Sequence, residues 1–196
     1  MAIITFPSTP KPAGMDWKLV MPSQNNISGW TGARQVLSSN RGWWECSITM
    51  PPIVGDSAVS PWRSFIAQAR GSTNDFQIPV HPTAQSTASE TALVNGADQI
   101  GRSITADGFA ASTTVLTAGQ YVTIGNQLLQ LTADITSDGS GNATLQFEPP
   151  IRTAPADNAA IEYKNPYALM YFVEEPTLSV VIGDVYTLSL NLRESF

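Results

Sequence analysis

Cysteine and histidine are almost missing from this 196-residue chain, which holds one of each, Cys46 and His81. A single cysteine excludes an intrachain disulfide and a cysteine metal cluster. A single histidine excludes a multi-histidine metal site. Charge is scarce as well: Asp, Glu, Lys and Arg make up 13% of the residues, about half of the roughly 25% usual in soluble proteins. The net charge of −6 has the wrong sign for a phosphate backbone, which excludes a nucleic-acid binder working through a basic field. No run approaches the roughly 18 apolar residues of a membrane span. The opening Met1-Ala2-Ile3-Ile4-Thr5-Phe6-Pro7 lacks the basic start and long apolar stretch of a signal peptide. The expectation is a soluble protein that stays in the cytoplasm where it is made.

The hydrophobic fraction, 42%, is ordinary. The chain can therefore bury a core, which argues against intrinsic disorder, and its length suits one domain or one domain carrying a smaller insert. The few charges are unevenly spread. Residues 1–82 carry Lys11, Lys18, Arg34, Arg41, Arg63 and Arg70 against Asp16, Glu45, Asp56 and Asp75, a balance of +2. The rest of the chain carries −8. Such polarity suits an assembly in which unlike faces meet.

Strand signals dominate. Trp43 to Met50 is aromatic and β-compatible, bounded by Gly42 and Pro51-Pro52, and predicts a strand. Trp62, Phe65, Ile66 and Ala69 fall at helical spacing and predict one helix, with Ser60 as cap, Pro61 at its first position and Gly71 as its stop; Asp56 is the other candidate cap, one turn earlier. The small polar run Thr83 to Ser89 predicts a boundary. Beyond it, Gln120 to Ile124, a Gly125-Asn126 turn, Gln127 to Thr132, an Asp138-Gly139 turn and Ala143 to Phe147 form a meander, closed by Ala160 to Tyr163. Three strands follow: Ala168 to Val173, Leu178 to Ile182 and Val185 to Leu192. In the last, Tyr186, Leu188, Leu190 and Leu192 alternate with polar residues, giving one buried and one wet face. The expected fold is mainly β. A discontinuous, sandwich-like and ring-forming β domain with one short helix comes from residues 1–82 and 164–196, and a small inserted β-barrel or sandwich from 83–163.

Residues that could carry chemistry are isolated. His81 has no motif-placed nucleophile or acid beside it, and Cys46 sits mid-strand where a small buried side chain is expected. The oxygen-rich stretch Asp134 to Asn142 invites a calcium site. Counting from Asp138, however, the twelfth loop position is Pro149, where an EF-hand needs a bidentate acid, so a hairpin turn is the expected role. Gly139 and Gly141 precede no lysine and open no helix, as a phosphate loop requires. Glu174-Glu175 lead into Pro176 as a strand end. No enzyme, metal site or cofactor is expected. The tryptophans Trp17, Trp30, Trp43, Trp44 and Trp62 all lie in the first third of the chain, and tryptophan anchors cores and interfaces. Trp30, Trp43, Trp44 and Arg34 are the candidate interface anchors.

Several segments resemble the distal tail proteins of long, non-contractile-tailed bacteriophages and related gene transfer particles. They are Trp30-Thr31-Gly32-Ala33-Arg34-Gln35-Val36, Gly42-Trp43-Trp44-Glu45 leading to Pro51-Pro52, Pro61-Trp62-Arg63-Ser64-Phe65 running to Gly71, and Asn74-Asp75-Phe76. A second set comprises Leu116 to Gly125, Gln127-Leu128-Leu129, Asp138 to Leu145, Pro149-Pro150-Ile151-Arg152, Ala156-Asp157 and the closing Tyr186 to Glu194. The resemblance implies self-association into a ring, usually a homohexamer, at the virion's tail tip. Such a ring is assembled in the host cytoplasm, caps the tail tube protein and receives the hub and fibre proteins, with no nucleic acid or membrane as partner. The rival expectation is a carbohydrate-binding adhesin module touching host glycans through exposed aromatics.

Overall fold

Alternation along the C-terminal strand organises the molecule. In the computed structural model, which describes residues 2–196, Tyr186, Leu188, Leu190 and Leu192 are buried and the residues between them are exposed or half-buried. The N-terminal elements are β1 (Ile3–Ile4), β2 (Gly14–Val20), β3 (Ser23–Ile27), β4 (Arg34–Ser38), β5 (Trp43–Thr49), β6 (Ile53–Val54), α1 (Asp56–Ala69) and β7 (Asp75–Pro79). The middle contributes β8 (Ala92–Val94), β9 (Gly101–Asp107), β10 (Thr114–Leu116), β11 (Tyr121–Ile124), β12 (Gln127–Leu131), β13 (Ile135–Thr136), β14 (Ala143–Ile151) and β15 (Ala160–Glu162). The chain ends with β16 (Tyr167–Phe172), β17 (Leu178–Val181) and β18 (Val185–Glu194). The protein is mainly β with a single short helix.

β18 is the spine of an eight-stranded sheet whose main path runs β1-β7-β16-β18-β5-β2. Its far half lies between β16 and β5, and its near half between β17 and β6. All pairings in the sheet are antiparallel except β1 with β7. The strands of this sheet thus come from both ends of the chain. Those of the middle wrap into a closed six-stranded barrel, β11-β12-β14-β9-β8-β15, so the barrel, not the sandwich, is the form that the middle takes. The β11–β12 turn has two residues, with Ile124 facing Gln127. Gly125 and Asn126 both hold positive φ, 56° and 67°, as a type I′ turn demands.

The helix starts a turn earlier than Ser60-Pro61 predicts, at Asp56 after Gly55, and Pro61 lies inside it. The cost is small at that point. Proline removes one donor, so only the exposed Ser57 carbonyl loses its helical partner to solvent. The extra turn buries Val59 in line with Trp62, Phe65 and Ala69. It also lets Asp56 pair with Arg63 at 2.5 Å. The helix ends where Arg70 and Gly71 turn left-handed.

Two cores result. One lies between the sheet and the helix, where Phe6, Trp62, Phe65, Phe76 and Phe172 pack edge to face or tilted, and Phe6 stacks on Phe76, with centroids 4.9–6.2 Å apart. The other fills the barrel with Val122, Ile124, Leu129, Leu131, Leu145 and Phe147. The run Leu128-Leu129 is apolar on both faces because Leu129 points into the barrel while Leu128 belongs to the sheet's core. Full burial of such a leucine contributes about 1.5–3 kcal/mol, so β12 serves both cores at once.

Candidate functional site

The tryptophans separate the inside of the molecule from its contact surfaces. β2 pairs with β5 from Gly14↔Thr49 to Val20↔Trp43. Beyond Val20 and Trp43 the two chains continue as β3 and β4, which pair only with each other. All ten of their residues are exposed. Trp30 sits at the tip of this arm and is 100% exposed. Ser28 closes the tip: its Oγ accepts from the backbone N–H of Trp30 and of Thr31, at 3.4 and 3.3 Å. Arg34 lies at the base of that tip with its Nε donating to Asn25 Oδ1 at 2.9 Å. The structure therefore brings Trp30 and Arg34 together, with exposed Ile27, Val36 and Leu37 on the same arm.

Trp43 lies apart from them, at the root of the arm. Its indole N–H donates to Glu45 Oε1 at 3.1 Å, and the Arg193 guanidinium stacks over its ring at 4.2 Å. Trp44 is no surface anchor. It is 3% exposed and points from the sheet toward the barrel, because the strand's alternation sends only one of the adjacent pair outward. Its indole N–H donates to the Leu128 carbonyl at 2.9 Å, and its ring meets Tyr121 edge-on at 5.6 Å.

A second projection leaves the opposite end of the sheet. β18 runs antiparallel to β5 from Ser189↔Thr49 to Arg193↔Glu45, which puts the β17–β18 turn at the Thr49 end, away from the arm. Val180, Val181, Ile182 and Asp184 are exposed there, and Glu174 and Glu175 are exposed at the other end of β17, where the chain leaves β16.

Sequence reasoning missed the group that fixes the barrel on the sheet. Glu194 is fully buried. Its carboxylate accepts from the backbone N–H of Trp44 at 3.1 Å, from that of Leu128 at 3.0 Å, and from Arg152, which also donates to the Gly42 carbonyl at 3.0 Å. Burial pushes the Glu194 carboxyl above the usual range, against the opposing pull of Arg152 and the two amides. The signal was the period of two: Glu194 continues the buried series Tyr186, Leu188, Leu190, Leu192. An acid on a buried face calls for a partner. Around this centre Gln85 bridges to the Tyr121 and Tyr163 carbonyls, and Thr123 Oγ1 donates to the Tyr167 carbonyl at 2.6 Å.

Beside the junction, an apolar groove of about 560 Å³ lies between the half-buried side chains of β2 and the barrel. Phe6, Met15, Trp17, His81 and Tyr121 line it. His81 is exposed and meets Tyr121 edge-on at 5.7 Å. The buried Trp17 indole N–H has no acceptor.

The remaining sequence candidates take structural roles. Asp138 Oδ1 accepts from the backbone of Ser140 and Asn142, and Oδ2 from the Asn142 amide, so the carboxylate is engaged by its own turn and held below the usual range by those bonds. Gly141 has φ 81° and packs against the Phe109 carbonyl, leaving no room for a side chain. Among the described residues no three His, Cys, Asp or Glu side chains gather as a metal site, and no helix is long and apolar enough to cross a membrane. Cys46 is buried, and desolvation, with Asp16 adding to it, pushes its thiol up to about 12. Native protein at pH 8 is expected to leave Cys46 unmodified by a thiol reagent over hours, with one equivalent released on unfolding. Prompt reaction in the native state would show that β2 opens away from β5.

No protein-family model matches the chain, and no curated protein matches it.

Proposed function

We propose that this chain is a structural protein of a phage tail tip, a distal tail ring that joins the tail tube to the hub and fibre proteins and acts by assembly, without turnover. The observation that carries the reading is the β3–β4 arm. A two-stranded hairpin is marginal in water by itself, and this one carries Trp30, Ile27, Val36 and Leu37 into solvent. Exposed apolar groups gathered on a projecting element mark a contact surface. The low charge of the chain suits a surface largely covered by neighbours. The resemblance of the segments around Trp30, Trp43-Trp44 and Trp62 to distal tail proteins supplies the assembly, a homohexameric ring.

Light scattering and native mass spectrometry of the purified protein test the ring directly. A species that stays monomeric at every concentration would sink the reading. Trp30→Ala is expected to weaken self-association by about 2 kcal/mol, as loss of an aromatic anchor does. Because the Trp30 side chain stands fully in solvent, and its backbone bond to Ser28 survives the change, unfolding stability should move by no more than about 0.5 kcal/mol. A drop in stability with assembly intact would place Trp30 in the fold, not in the contact.

The aromatic groove with its unpaired Trp17 N–H favours one alternative, an adhesin module holding a host glycan. A glycan array read together with tryptophan fluorescence decides it: absence of any sugar-dependent change removes the alternative.

A further inference from the structure

The two projections of the sheet differ in charge. From Met21 to Gly42 the arm segment contains Arg34 and Arg41 and no acid. From Val173 to Asp184 the segment carrying β17 contains Glu174, Glu175 and Asp184 and no base. All five charged side chains are exposed, and among the described residues none of them joins an ion pair within the chain. Each projection also presents apolar side chains to water, Ile27, Trp30 and Leu37 on one and Val180, Val181 and Ile182 on the other. Each has an open backbone edge, since β17 pairs only with β18 and β3 only with β4.

We propose that the β3–β4 arm of one copy docks along the outer edge of β17 in a second copy, basic arm on acidic hairpin. The inference rests on the reading that the chain assembles with itself, and it names the surfaces that meet. Strand addition at the β17 edge satisfies the free N–H and C=O groups on both sides, while alternate side chains of the arm cover Val180 and Val181. The charges set direction. Arm against arm would oppose Arg34 and Arg41 to their own copies, and one β17 edge against another would set the acids that flank it, Glu174 and Glu175 at one end and Asp184 at the other, against acids. Only the unlike pairing relieves both. Donor and receiver lie at opposite ends of one sheet, so the contact is heterologous: each copy gives one arm and receives one, and repetition closes a ring.

Charge reversal tests the pairing and its direction. Full-length R34E/R41E has an acidic arm and an acidic receiver, and full-length E174K/E175K has both basic. Each alone is expected to associate about 100-fold more weakly than wild type, through like charges facing each other. Mixed in equal amounts they are expected to regain assembly, because each arm then finds an opposite receiver. The chain carrying all four reversals is expected to assemble unaided, which an arm-to-arm contact forbids. Circular dichroism and unfolding midpoints, unchanged for exposed substitutions, show that loss of assembly is not loss of fold. If wild type and every variant form the same ring, the ring stands and this docking is wrong. If wild type never associates, both are wrong. Loss in the two single-site variants without recovery on mixing also overturns the proposal.

Discussion

Glu194→Ala is expected to lower the unfolding free energy by about 3–5 kcal/mol, the usual cost of removing one partner from a buried charged pair. That is a large share of the roughly 5–15 kcal/mol that holds a domain folded. The magnitude follows from what the side chain leaves behind. Without it the N–H groups of Trp44 and Leu128 stay buried with no acceptor, and the Arg152 guanidinium keeps the Gly42 carbonyl as its one hydrogen-bond acceptor and the Phe196 ring beside it. Because those donors come from β5, from β12 and from the residue just after β14, the loss falls on the seam between sheet and barrel. Denaturant unfolding monitored by tryptophan emission, to which Trp44 at the seam contributes with four others, should show the lowered midpoint. If barrel and sheet then unfold in separate steps, Glu194 is what makes them cooperate. A loss below about 1 kcal/mol would mean that water replaces the carboxylate and that the seam is held by its other contacts, among them Leu128, Trp44 and the Thr123–Tyr167 bonds.

The same group gives a pH dependence with a definite sign. Burial holds the Glu194 carboxyl above its unfolded value, despite Arg152 and the two amides. The folded state therefore takes up the proton first as pH falls, and stability linked to Glu194 rises through that interval. This contribution is fully present below the unfolded value, roughly 4.3, and is lost as pH rises through the folded one. Glu194→Gln cannot titrate, so the difference between wild type and this variant isolates the effect. Wild type should gain on the variant as pH is lowered from neutrality and level off near the unfolded value. A gain in the opposite direction would show that the Arg152 pairing outweighs desolvation.

How far the fold could be read from the residues depended on whether a strand has a wet face. β18 alternates cleanly, so its pattern was plain, and Gly125-Asn126 announced its hairpin because two positive φ angles in succession suit few other pairs. The helix stripe was legible, and of its two candidate starts the earlier one, Asp56, lies within a residue of the Gly55 cap; Ser60-Pro61 competed with it because proline usually opens a helix, and the burial of Val59 with the Asp56–Arg63 pair repays carrying it inside. β2 alternates Met15, Trp17 and Leu19 with polar residues and could have been found by the rule that found β18. The arm could not. Ser23-Gln24-Asn25-Asn26-Ile27 has no buried face, hence no period, and its pairing is visible only in three dimensions. The same holds for the candidate contact surfaces. Composition placed tryptophans at an interface, but Trp43 and Trp44 are neighbours of equal chemistry, and the pleat alone decides that Trp44 turns inward. Glu194 and Arg152 lie 42 residues apart and meet only because the barrel folds back on the sheet.

Trp62→Ala is expected to cost about 3–5 kcal/mol, as large aromatic truncations in a packed core do, whereas the equally large Trp30 can be truncated with little effect on the fold. The contrast lies in what surrounds each ring. Trp62 is fully buried, edge-on to Phe6 at 5.2 Å and to Phe65 at 6.1 Å, and its indole N–H donates to the Thr9 carbonyl at 3.2 Å. Removing it opens a cavity under α1 and frees the segment that carries Phe6, Pro7 and Ser8, which is one wall of the aromatic groove. Trp62→Phe keeps an aromatic ring against Phe6 and should lose less, about 1–2 kcal/mol, chiefly the bond to Thr9 and part of the volume. Chemical unfolding of the two variants measures the ladder, and limited proteolysis measures the release of the N-terminal segment. Cleavage between Phe6 and Lys11 in Trp62→Ala, and not in Trp62→Phe, is the expected pattern, because the ring and not the hydrogen bond holds Phe6 in place. If both variants are cut alike, the Thr9 bond is the tether, and access to the groove is governed by that one indole N–H.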